Sequence, residues 1–189
     1  MRAMRVCVFG AGAVGGNIAV MLARAGADVS VLVRGATLQA VRARGLELHT
    51  PDGVVRANVR ASDDPRELGE QDAVLVTVKQ TALTASAPAI TALLGRDTPA
   101  VFLQNGIPWW YFHGQGNADE GKRIPELDPG DVLWNTVGPQ RAVGGVTSSP
   151  CTVVEPGVVK LAGKNGTMVF GEPDGSMSPR LMAIAELFK

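Results

Sequence analysis

The sequence predicts an α/β protein built on a mainly parallel β-sheet, followed by a small antiparallel region of strands. Apolar strand-like segments alternate with segments of helical periodicity as far as residue 103, as in the right-handed crossovers of a parallel sheet. Segment 72–78 is an almost uninterrupted apolar run, as expected of a strand covered on both faces. A glycine-rich turn also joins the first strand to the first helix. With 189 residues, 46% of them hydrophobic, the chain can bury one substantial core.

The first half of the chain supplies the elements of the parallel sheet. The first strand is predicted at Arg5–Phe9, where β-branched and aromatic residues are concentrated. Apolar residues then recur at helical spacing from Val14 to Ala25, and Gly26 marks the end of that helix. The other predicted elements of this half are strands at 28–33, 72–78 and 100–103 and helices at 36–44 and 82–94.

Segment 46–61 is predicted to be a β-hairpin. Two strand-like stretches flank Pro51-Asp52-Gly53, whose residue types favour a tight turn. This hairpin separates the first two predicted strand–helix pairs from the third strand of the sheet.

The second half of the chain has a different character. Residues 113–131 are rich in Gly, Pro and charge and are predicted to form an exposed loop. Strands that we expect to be antiparallel follow at 143–146, 152–154, 158–161 and 167–170, with a turn at Asn165-Gly166 between the last two. Ser178-Pro179 then opens a helical pattern that continues to Lys189.

Charge and composition exclude several classes of function. Lys plus Arg and Asp plus Glu number 18 each, so the basic excess of a nucleic-acid-binding protein is missing. No apolar run reaches the roughly 20 residues of a membrane span, and glycines interrupt the apolar stretch that would make a signal peptide. The two cysteines form neither a disulfide framework nor a metal site, and Cys7 is expected to be a buried core residue. We therefore expect a cytoplasmic protein without a metal.

A glycine fingerprint predicts a dinucleotide site. Gly10-Ala11-Gly12-Ala13-Val14-Gly15 matches G-x-G-x-x-G and lies between a strand and an amphipathic helix, which is the context that the motif requires. Its first glycine permits the sharp turn, its second lets the backbone approach a pyrophosphate, and its third lets the helix pack on the strand. The free N–H groups of the helix would then face the phosphates. The sheet is therefore predicted to be of the Rossmann type.

The end of the second strand favours NADP over NAD. An NAD enzyme usually carries Asp or Glu about 20 residues after the glycines, where it binds the ribose 2′-hydroxyl. Here the segment 31–35 contains no carboxylate and carries Arg34, a cation suited to a 2′-phosphate. The alternative is that Arg34 is only a solvated residue at a strand end.

Three further motifs complete a resemblance to one family. They are Val76-Thr77-Val78-Lys79, Gln104-Asn105-Gly106 and Glu155-Pro156-Gly157-Val158-Val159. Together with the glycine fingerprint and Leu32-Val33-Arg34, in this order, they make the whole chain resemble ketopantoate reductase, also called 2-dehydropantoate 2-reductase. That family reduces 2-dehydropantoate, a small 2-oxo acid, to pantoate with NADPH, a step toward pantothenate.

The resemblance implies roles for particular residues. The segment Gly10 to Gly15 would hold the pyrophosphate and Arg34 the 2′-phosphate. Lys79 would contact the cofactor, and Asn105 would lie near both the nicotinamide ribose and the substrate. Cys151 falls near a family position that contacts the cofactor through its backbone. For Lys79 and Asn105 the plainer alternatives are a solvated lysine and an ordinary Asn-Gly turn.

Two features depart from the family pattern beside Asn105. Residues 107–112 concentrate aromatic side chains, including Trp109 and Trp110, which either wall the substrate pocket or pack in the core of a short helix begun by Pro108. The loop 113–131 is either a lid over the cleft or an exposed insertion, and His113 is not expected to be catalytic.

The resemblance also implies a second, helical domain that supplies the catalytic lysine and most substrate contacts. Residues 1–176 would form the NADP-binding domain and 177–189 the start of the helical one. Lys189 does not match the catalytic lysine, so no catalytic residue is assigned. The hypothesis is a truncated reductase that binds NADPH with little or no turnover, exposes an apolar face and self-associates, with a homodimer as one possibility. The alternatives are a reductase of another 2-oxo acid and a non-catalytic NADP-binding module.

Overall fold

A computed structural model of the chain describes residues 2–164 and 166–189. Its strands form two sheets, one of seven strands in the order β11-β8-β7-β6-β1-β2-β5 and one of four in the order β4-β3-β10-β9. The strands are β1 Arg5–Phe9, β2 Asp28–Leu32, β3 Leu46–Thr50, β4 Gly53–Ala57, β5 Arg60–Ser62, β6 Ala73–Val76, β7 Ala100–Leu103, β8 Ala142–Thr147, β9 Cys151–Glu155, β10 Val158–Leu161 and β11 Met168–Gly171. The α-helices are α1 Ala13–Arg24, α2 Gly35–Arg44, α3 Pro65–Leu68, α4 Leu83–Thr91, α5 Val132–Thr136 and α6 Pro179–Glu186.

The large sheet is parallel except at its β11 edge, as the sequence predicts for a Rossmann-type fold. β1 is an interior strand next to the central β6, with Val8 aligned to Val31 on one side and to Leu75 on the other. All four residues of β6 and of β7 are buried, which explains their continuous apolar runs. Cys7 is buried in β1, as expected, and this burial raises the pKa of its thiol to about 12.

The predicted hairpin at 46–61 is only partly correct. Strands β3 and β4 pair antiparallel as expected, but the second strand ends at Ala57. The chain then crosses to the large sheet, where Arg60–Ser62 becomes the edge strand β5, parallel to β2. Asn58 interrupts the run of strand-forming residues, and the small side chains of Ala61 and Ser62 are buried beside β2.

The later strands are also only partly antiparallel. β8 pairs antiparallel with β11 but parallel with β7, and β10 pairs antiparallel with β9 but parallel with β3. Val158–Leu161 and Met168–Gly171 therefore belong to different sheets instead of one hairpin. The turn expected at Asn165 lies outside the described residues.

Helix α6 packs on the core that lies between the two sheets. Leu181 and Ile184 are buried in the same apolar cluster as Ile18 of α1 and Val159 of β10. The carboxylate of Glu172, just after β11, accepts hydrogen bonds from the Arg180 Nε (2.8 Å) and from the Ser178 hydroxyl. The domain boundary expected between residues 176 and 177 stays a prediction. In this structure α6, which follows that boundary, packs against the apolar core formed by the residues before it. None of the described helices combines the length and apolarity of a membrane span.

Candidate nucleotide-binding cleft

The glycine fingerprint forms a tight turn at the carboxyl end of β1. Gly10 has a φ of +95°, a conformation that residues with a side chain rarely adopt. A Cβ at Gly15 would overlap the carbonyl oxygen of Gly10 and the hydroxyl of Thr77, so α1 can approach β1 this closely only at a glycine. The turn has the shape that the sequence predicts.

The start of α1 is open toward the cleft. A Cβ at Gly12 would meet no atom within 4 Å, and Gly12 caps the helix without a side-chain hydrogen bond. The first turn contains no acidic residue. Ala13 and Val14 lie in the first turn of α1, where backbone N–H groups have no acceptor within the helix. These N–H groups carry the positive end of the helix dipole. This arrangement fits a pyrophosphate.

Thr77 holds the glycine turn from the neighbouring strand. Its hydroxyl lies 2.5 Å from the carbonyl oxygen of Gly10 and 3.2 Å from that of Phe9. In the sequence Thr77 is only a member of the motif Val76-Thr77-Val78-Lys79, which predicts no role for its hydroxyl. Because 67 residues separate Thr77 from Gly10, no local signal could have revealed the contact.

A cleft with a volume of about 570 Å³ extends from the glycine turn along the edge of the large sheet. One wall comes from the ends of β2 and β5 and the start of α2, and the opposite wall from α4 and the residues after β6. Val153 of β9, Gly157 of the following turn, and Val158 and Val159 of β10 line the cleft from the small sheet. Lining residues include Gly10, Ala11, Gly12, Leu32, Val33, Arg34, Thr37, Asp63, Val78, Ala82, Ala85, Ser86, Ala89, Val153, Val158 and Val159.

Arg34 lies on the rim of this cleft. It caps α2 with an extended backbone, its side chain is exposed, and it forms no ion pair with any residue that the structure describes. Thr37, in the first turn of α2, lies beside it on the same wall. A guanidinium, a hydroxyl and a helix N-terminus without acidic residues together suit a phosphate group.

Lys79 and Asn105 follow neighbouring strands at the same edge of the sheet. Lys79 precedes a short 3₁₀ turn at Gln80–Ala82 and is exposed between Val78, which lines the nucleotide cleft, and Gln80, which lines a second cleft. Asn105 is exposed and lines the second cleft. The adjacent Gln104 donates its amide to the carbonyl oxygen of Val78 (2.6 Å), which ties the two strand ends together.

The second cleft, of about 290 Å³, is mainly apolar. Its lining includes Phe102, Ile107, Pro108, Trp110, Val146, Val169 and Phe170, with Gln80, Gln104, Asn105 and Glu172 as polar members. Of the two explanations for the aromatic segment, packing in the core applies to Trp109, and lining a pocket applies to Trp110. Trp109 is buried in the core beneath, whereas Trp110, 4.8 Å from the ring of Phe102, is buried yet lines the cleft. Residues 109–112 form a turn instead of a helix.

The loop 113–131 is an ordered excursion beside the two clefts. The buried carboxylate of Asp128 accepts hydrogen bonds from the N–H groups of Leu133 and Trp134, both at 2.9 Å. The guanidinium of Arg123 stacks on the Trp134 ring at 3.3 Å from its centroid. No residue of this loop lines either cleft among the residues described, so this conformation gives the loop no lid function.

Cys151 lies apart from the other proposed site residues. It begins β9, packs against the apolar core, and partial burial raises the pKa of its thiol. Its neighbour Val153 lines the nucleotide cleft, whereas Cys151 is not among the lining residues described. A cofactor contact through the backbone of Cys151 stays a prediction.

Comparisons with known proteins agree on one family. Residues 6–175 match the family described as ketopantoate reductase PanE/ApbA. The chain is 43% identical over 185 residues to a 2-dehydropantoate 2-reductase of Mesorhizobium japonicum, covering 97% of this chain and 56% of the relative. A 2-dehydropantoate 2-reductase of Pyrococcus horikoshii is 27% identical over 172 residues, covering 91% of this chain and 49% of the relative.

Solved structures give the same result. A structure from Ralstonia solanacearum MolK2, described as a candidate ketopantoate reductase, superposes with a TM-score of 0.93 at 40% identity and covers 99% of this chain and 58% of that one. A PanE/ApbA family ketopantoate reductase from Ralstonia eutropha JMP134 superposes with a TM-score of 0.76 at 29% identity. The match covers 98% of this chain and 53% of that one. The chain thus spans about half the length of these relatives.

Proposed function

Because the chain belongs to the ketopantoate reductase family, we propose that it forms the NADPH-binding half of a reductase that converts 2-dehydropantoate to pantoate. The observation that carries this proposal is the cleft that joins the open glycine turn to Arg34, a cation with no ion-pair partner among the described residues. It suits an extended dinucleotide, since the glycine turn proposed for the pyrophosphate and Arg34 proposed for the 2′-phosphate line one continuous cleft.

The residues of the chain divide the binding task. The backbone of Gly10, Ala11 and Gly12 and the N–H groups at the start of α1 bind the pyrophosphate. Arg34 and Thr37 bind the 2′-phosphate. A bound NADPH supplies the hydride for the reduction.

Lys79 and Asn105 orient the reacting ends. Both follow parallel strands at the edge where open α/β sheets bind ligands. Asn105, with both a donor and an acceptor, can hydrogen-bond the nicotinamide ribose and the 2-oxo acid. We assign none of these residues the role of general acid, so we propose that this chain alone turns over 2-dehydropantoate slowly or not at all.

A titration with NADPH and NADH tests the proposal. We expect the chain to bind NADPH more tightly than NADH. Arg34→Ala should weaken the affinity for NADPH about tenfold or more and leave the affinity for NADH almost unchanged. Arg24→Ala, which removes an equally exposed cation at the far end of α1, is the control and should leave both affinities unchanged. Equal binding of the two nucleotides by all three proteins would contradict the assignment of Arg34.

A steady-state assay tests the catalytic part. Full turnover of 2-dehydropantoate by this chain with NADPH would contradict the proposal that it lacks the acid. Binding of NADPH without turnover is the expected result.

The apolar second cleft favours a second candidate, a reductase of a 2-oxo acid with a larger apolar substituent. Trp110, Phe102 and Phe170 line this cleft next to Asn105. Ligand-detected NMR in the presence of NADPH, comparing 2-dehydropantoate with phenylpyruvate, separates the two: stronger saturation transfer to phenylpyruvate, lost in Trp110→Ala, would favour the second candidate.

A further inference from the structure

The rim of the nucleotide cleft carries a second charge, opposite in sign to that of Arg34. Asp63 follows directly on β5, is exposed, and lines the same cleft as Arg34 and Thr37. Within the described part of the chain its carboxylate forms no ion pair and accepts no hydrogen bond, and it lies beyond 4 Å from the Arg34 guanidinium. Both charges are therefore available to a ligand in the cleft.

The neighbouring carboxylate of Asp64, unlike that of Asp63, forms contacts within the fold. Asp64 caps α3 by accepting the backbone N–H of Arg66 (2.9 Å), and its carboxylate also pairs with the Arg66 guanidinium (2.7 Å). These contacts lower the pKa of Asp64, because the Arg66 hydrogen bonds stabilise its ionised form. The fold thus uses Asp64 to begin a helix and makes no comparable use of Asp63.

The walls beside Asp63 suit a flat heteroaromatic ring. Leu32 and Val33 form one side, and small residues of α4 and the preceding turn, Ala82, Ala85 and Ala89, form the other. The hydroxyl of Ser86, on the same wall, already donates to the carbonyl oxygen of Ala82 (2.7 Å). Asp63 is accordingly the carboxylate acceptor at this end of the cleft.

We infer, on the basis of the proposed function, that Asp63 determines the specificity of the site for the adenine base by accepting a hydrogen bond from its exocyclic amino group. A carboxylate only accepts hydrogen bonds, so it is complementary to the 6-amino group of adenine and opposed to the 6-oxo group of hypoxanthine or guanine. Arg34 would then recognise the phosphate on the ribose and Asp63 the base attached to it.

The role of Asp63 is separable from that of Arg34 by a binding experiment with four nucleotides. They are NADPH, NADH and their deamino counterparts, in which hypoxanthine replaces adenine. Isothermal titration calorimetry at constant salt measures the dissociation constant of each one with the wild-type chain and its variants. Loss of the 2′-phosphate and loss of the amino group are thereby varied independently.

For Asp63→Ala we expect about a tenfold weaker affinity for NADPH and for NADH, the loss expected when one hydrogen bond to a charged acceptor is removed. The affinity for the deamino forms should fall much less, since the 6-oxo group that replaces the amino group only accepts hydrogen bonds, and the base would have to shift to present its N1–H to Asp63. Asp63→Asn should lie between wild type and Asp63→Ala, because its amide oxygen still accepts a hydrogen bond. Asp52→Ala, which removes an exposed carboxylate at the tip of the β3–β4 hairpin, should change none of the four constants.

Three outcomes overturn the inference and differ in what else they imply. An equal loss of affinity for the amino and deamino forms would reject the base contact without contradicting the proposed function, since the wild-type chain would still bind NADPH. A gain for NADPH alone in Asp63→Ala would mean that Asp63 only repels the 2′-phosphate. If the wild-type chain, folded by circular dichroism, binds none of the four nucleotides, the proposed function fails and the inference fails with it.

Discussion

The hydroxyl of Thr77 connects the carboxyl ends of β6 and β1 beside the larger cleft. It contacts the carbonyl oxygens of Phe9 and Gly10, and it also lies where a side chain at Gly15 would have to be placed. The geometry of the glycine turn therefore depends on a residue outside the glycine fingerprint.

We expect Thr77→Val to weaken NADPH binding about fivefold to tenfold while lowering the free energy of unfolding by only about 1 kcal/mol. The substitution keeps the shape of the side chain but leaves the Gly10 carbonyl oxygen without its donor. Calorimetric titration and urea unfolding measure the two effects. Thr77→Ser retains the hydroxyl and should restore most of the affinity; a Ser variant as weak as the Val variant would contradict this role.

At Gly15, in contrast to Thr77, we expect stability and affinity for NADPH to fall together. Gly15→Ala places a methyl group against the Gly10 carbonyl oxygen, which can yield only if α1 moves away from β1. The free energy of unfolding should fall by about 2 kcal/mol or more, and NADPH binding should be lost in parallel. Thermal unfolding followed by circular dichroism is the measurement, with Gly12→Ala as the control, because its added methyl group meets no atom within 4 Å.

The site residues that the sequence predicted are those recognised from local pattern. The glycines and Arg34 lie near one another in the chain and their spacing already implies their geometry. Thr77, Asp63 and the α4 alanines come from distant segments, and ordinary residue types such as these carry no signal until the sheet brings them together.

Helix α6 is held at its start by a buried polar contact. The Glu172 side chain is only 4% exposed and binds Arg180 in a bidentate arrangement, while Arg180 also donates to the carbonyl oxygen of Gln140 (2.6 Å). This group of contacts fixes the start of α6 to the end of the large sheet, so that Leu181 and Ile184 reach the core.

We expect Glu172→Gln to lower the free energy of unfolding by about 2 kcal/mol near neutral pH, since it leaves Arg180 partly buried without its counter-charge. Urea unfolding measures the loss. Glu186→Gln, which breaks the exposed pair with Lys189 at the other end of the same helix, should change the value by less than about 0.5 kcal/mol. Equal effects of the two substitutions would reject the anchoring role.

The contact between Glu172 and Arg180 also makes the free energy of unfolding depend on pH in the acidic range. The hydrogen bonds from Arg180 hold the pKa of Glu172 below its ordinary value of 4.5. A carboxylate with a lowered folded-state pKa stabilises the protein fully above its unfolded-state pKa, and that contribution is lost as the pH falls through the folded-state pKa. We therefore expect the stability difference between wild type and Glu172→Gln to be constant above about pH 5 and to shrink in more acidic urea titrations.

The sequence did not predict the pairing of strands whose residue types are compatible with either sheet. Arg60–Ser62 has the residue types to extend the hairpin, and only the burial of Ala61 and Ser62 beside β2 decides otherwise. In the same way, the apolar β8 can pair with strands of either direction, and its position between β7 and β11 is a property of the assembled sheet.

At the scale of the whole molecule, the second cleft is bordered by exposed apolar side chains. Val146 and Val169 lie opposite each other on β8 and β11, and both are more than half exposed, as is Ile107 beside Asn105. Exposed apolar residues grouped around a cleft commonly mark an interaction surface.

We expect the chain to self-associate through this face. The double variant Val146→Thr with Val169→Thr keeps β-branched side chains in both strands, so the sheet should persist while the apolar contact is weakened. Sedimentation velocity over a range of concentrations should then show less association than in wild type. Val54→Thr, an equally exposed valine on the β3–β4 hairpin, should have no effect; association unchanged in the double variant would place the contact elsewhere.

The small sheet has a consequence for how the protein is made. Strand β3 lies beside β10, with Glu47 aligned to Val158, so this parallel pairing joins segments more than one hundred residues apart in the chain. Closing so long a loop costs conformational entropy before any contact compensates for it. A chain emerging from the ribosome has its glycine turn early, yet Val159, against which Gly16 packs, is synthesised more than one hundred residues later. The nascent protein should therefore acquire cofactor affinity late and abruptly, when the β9–β10 hairpin adds to β3.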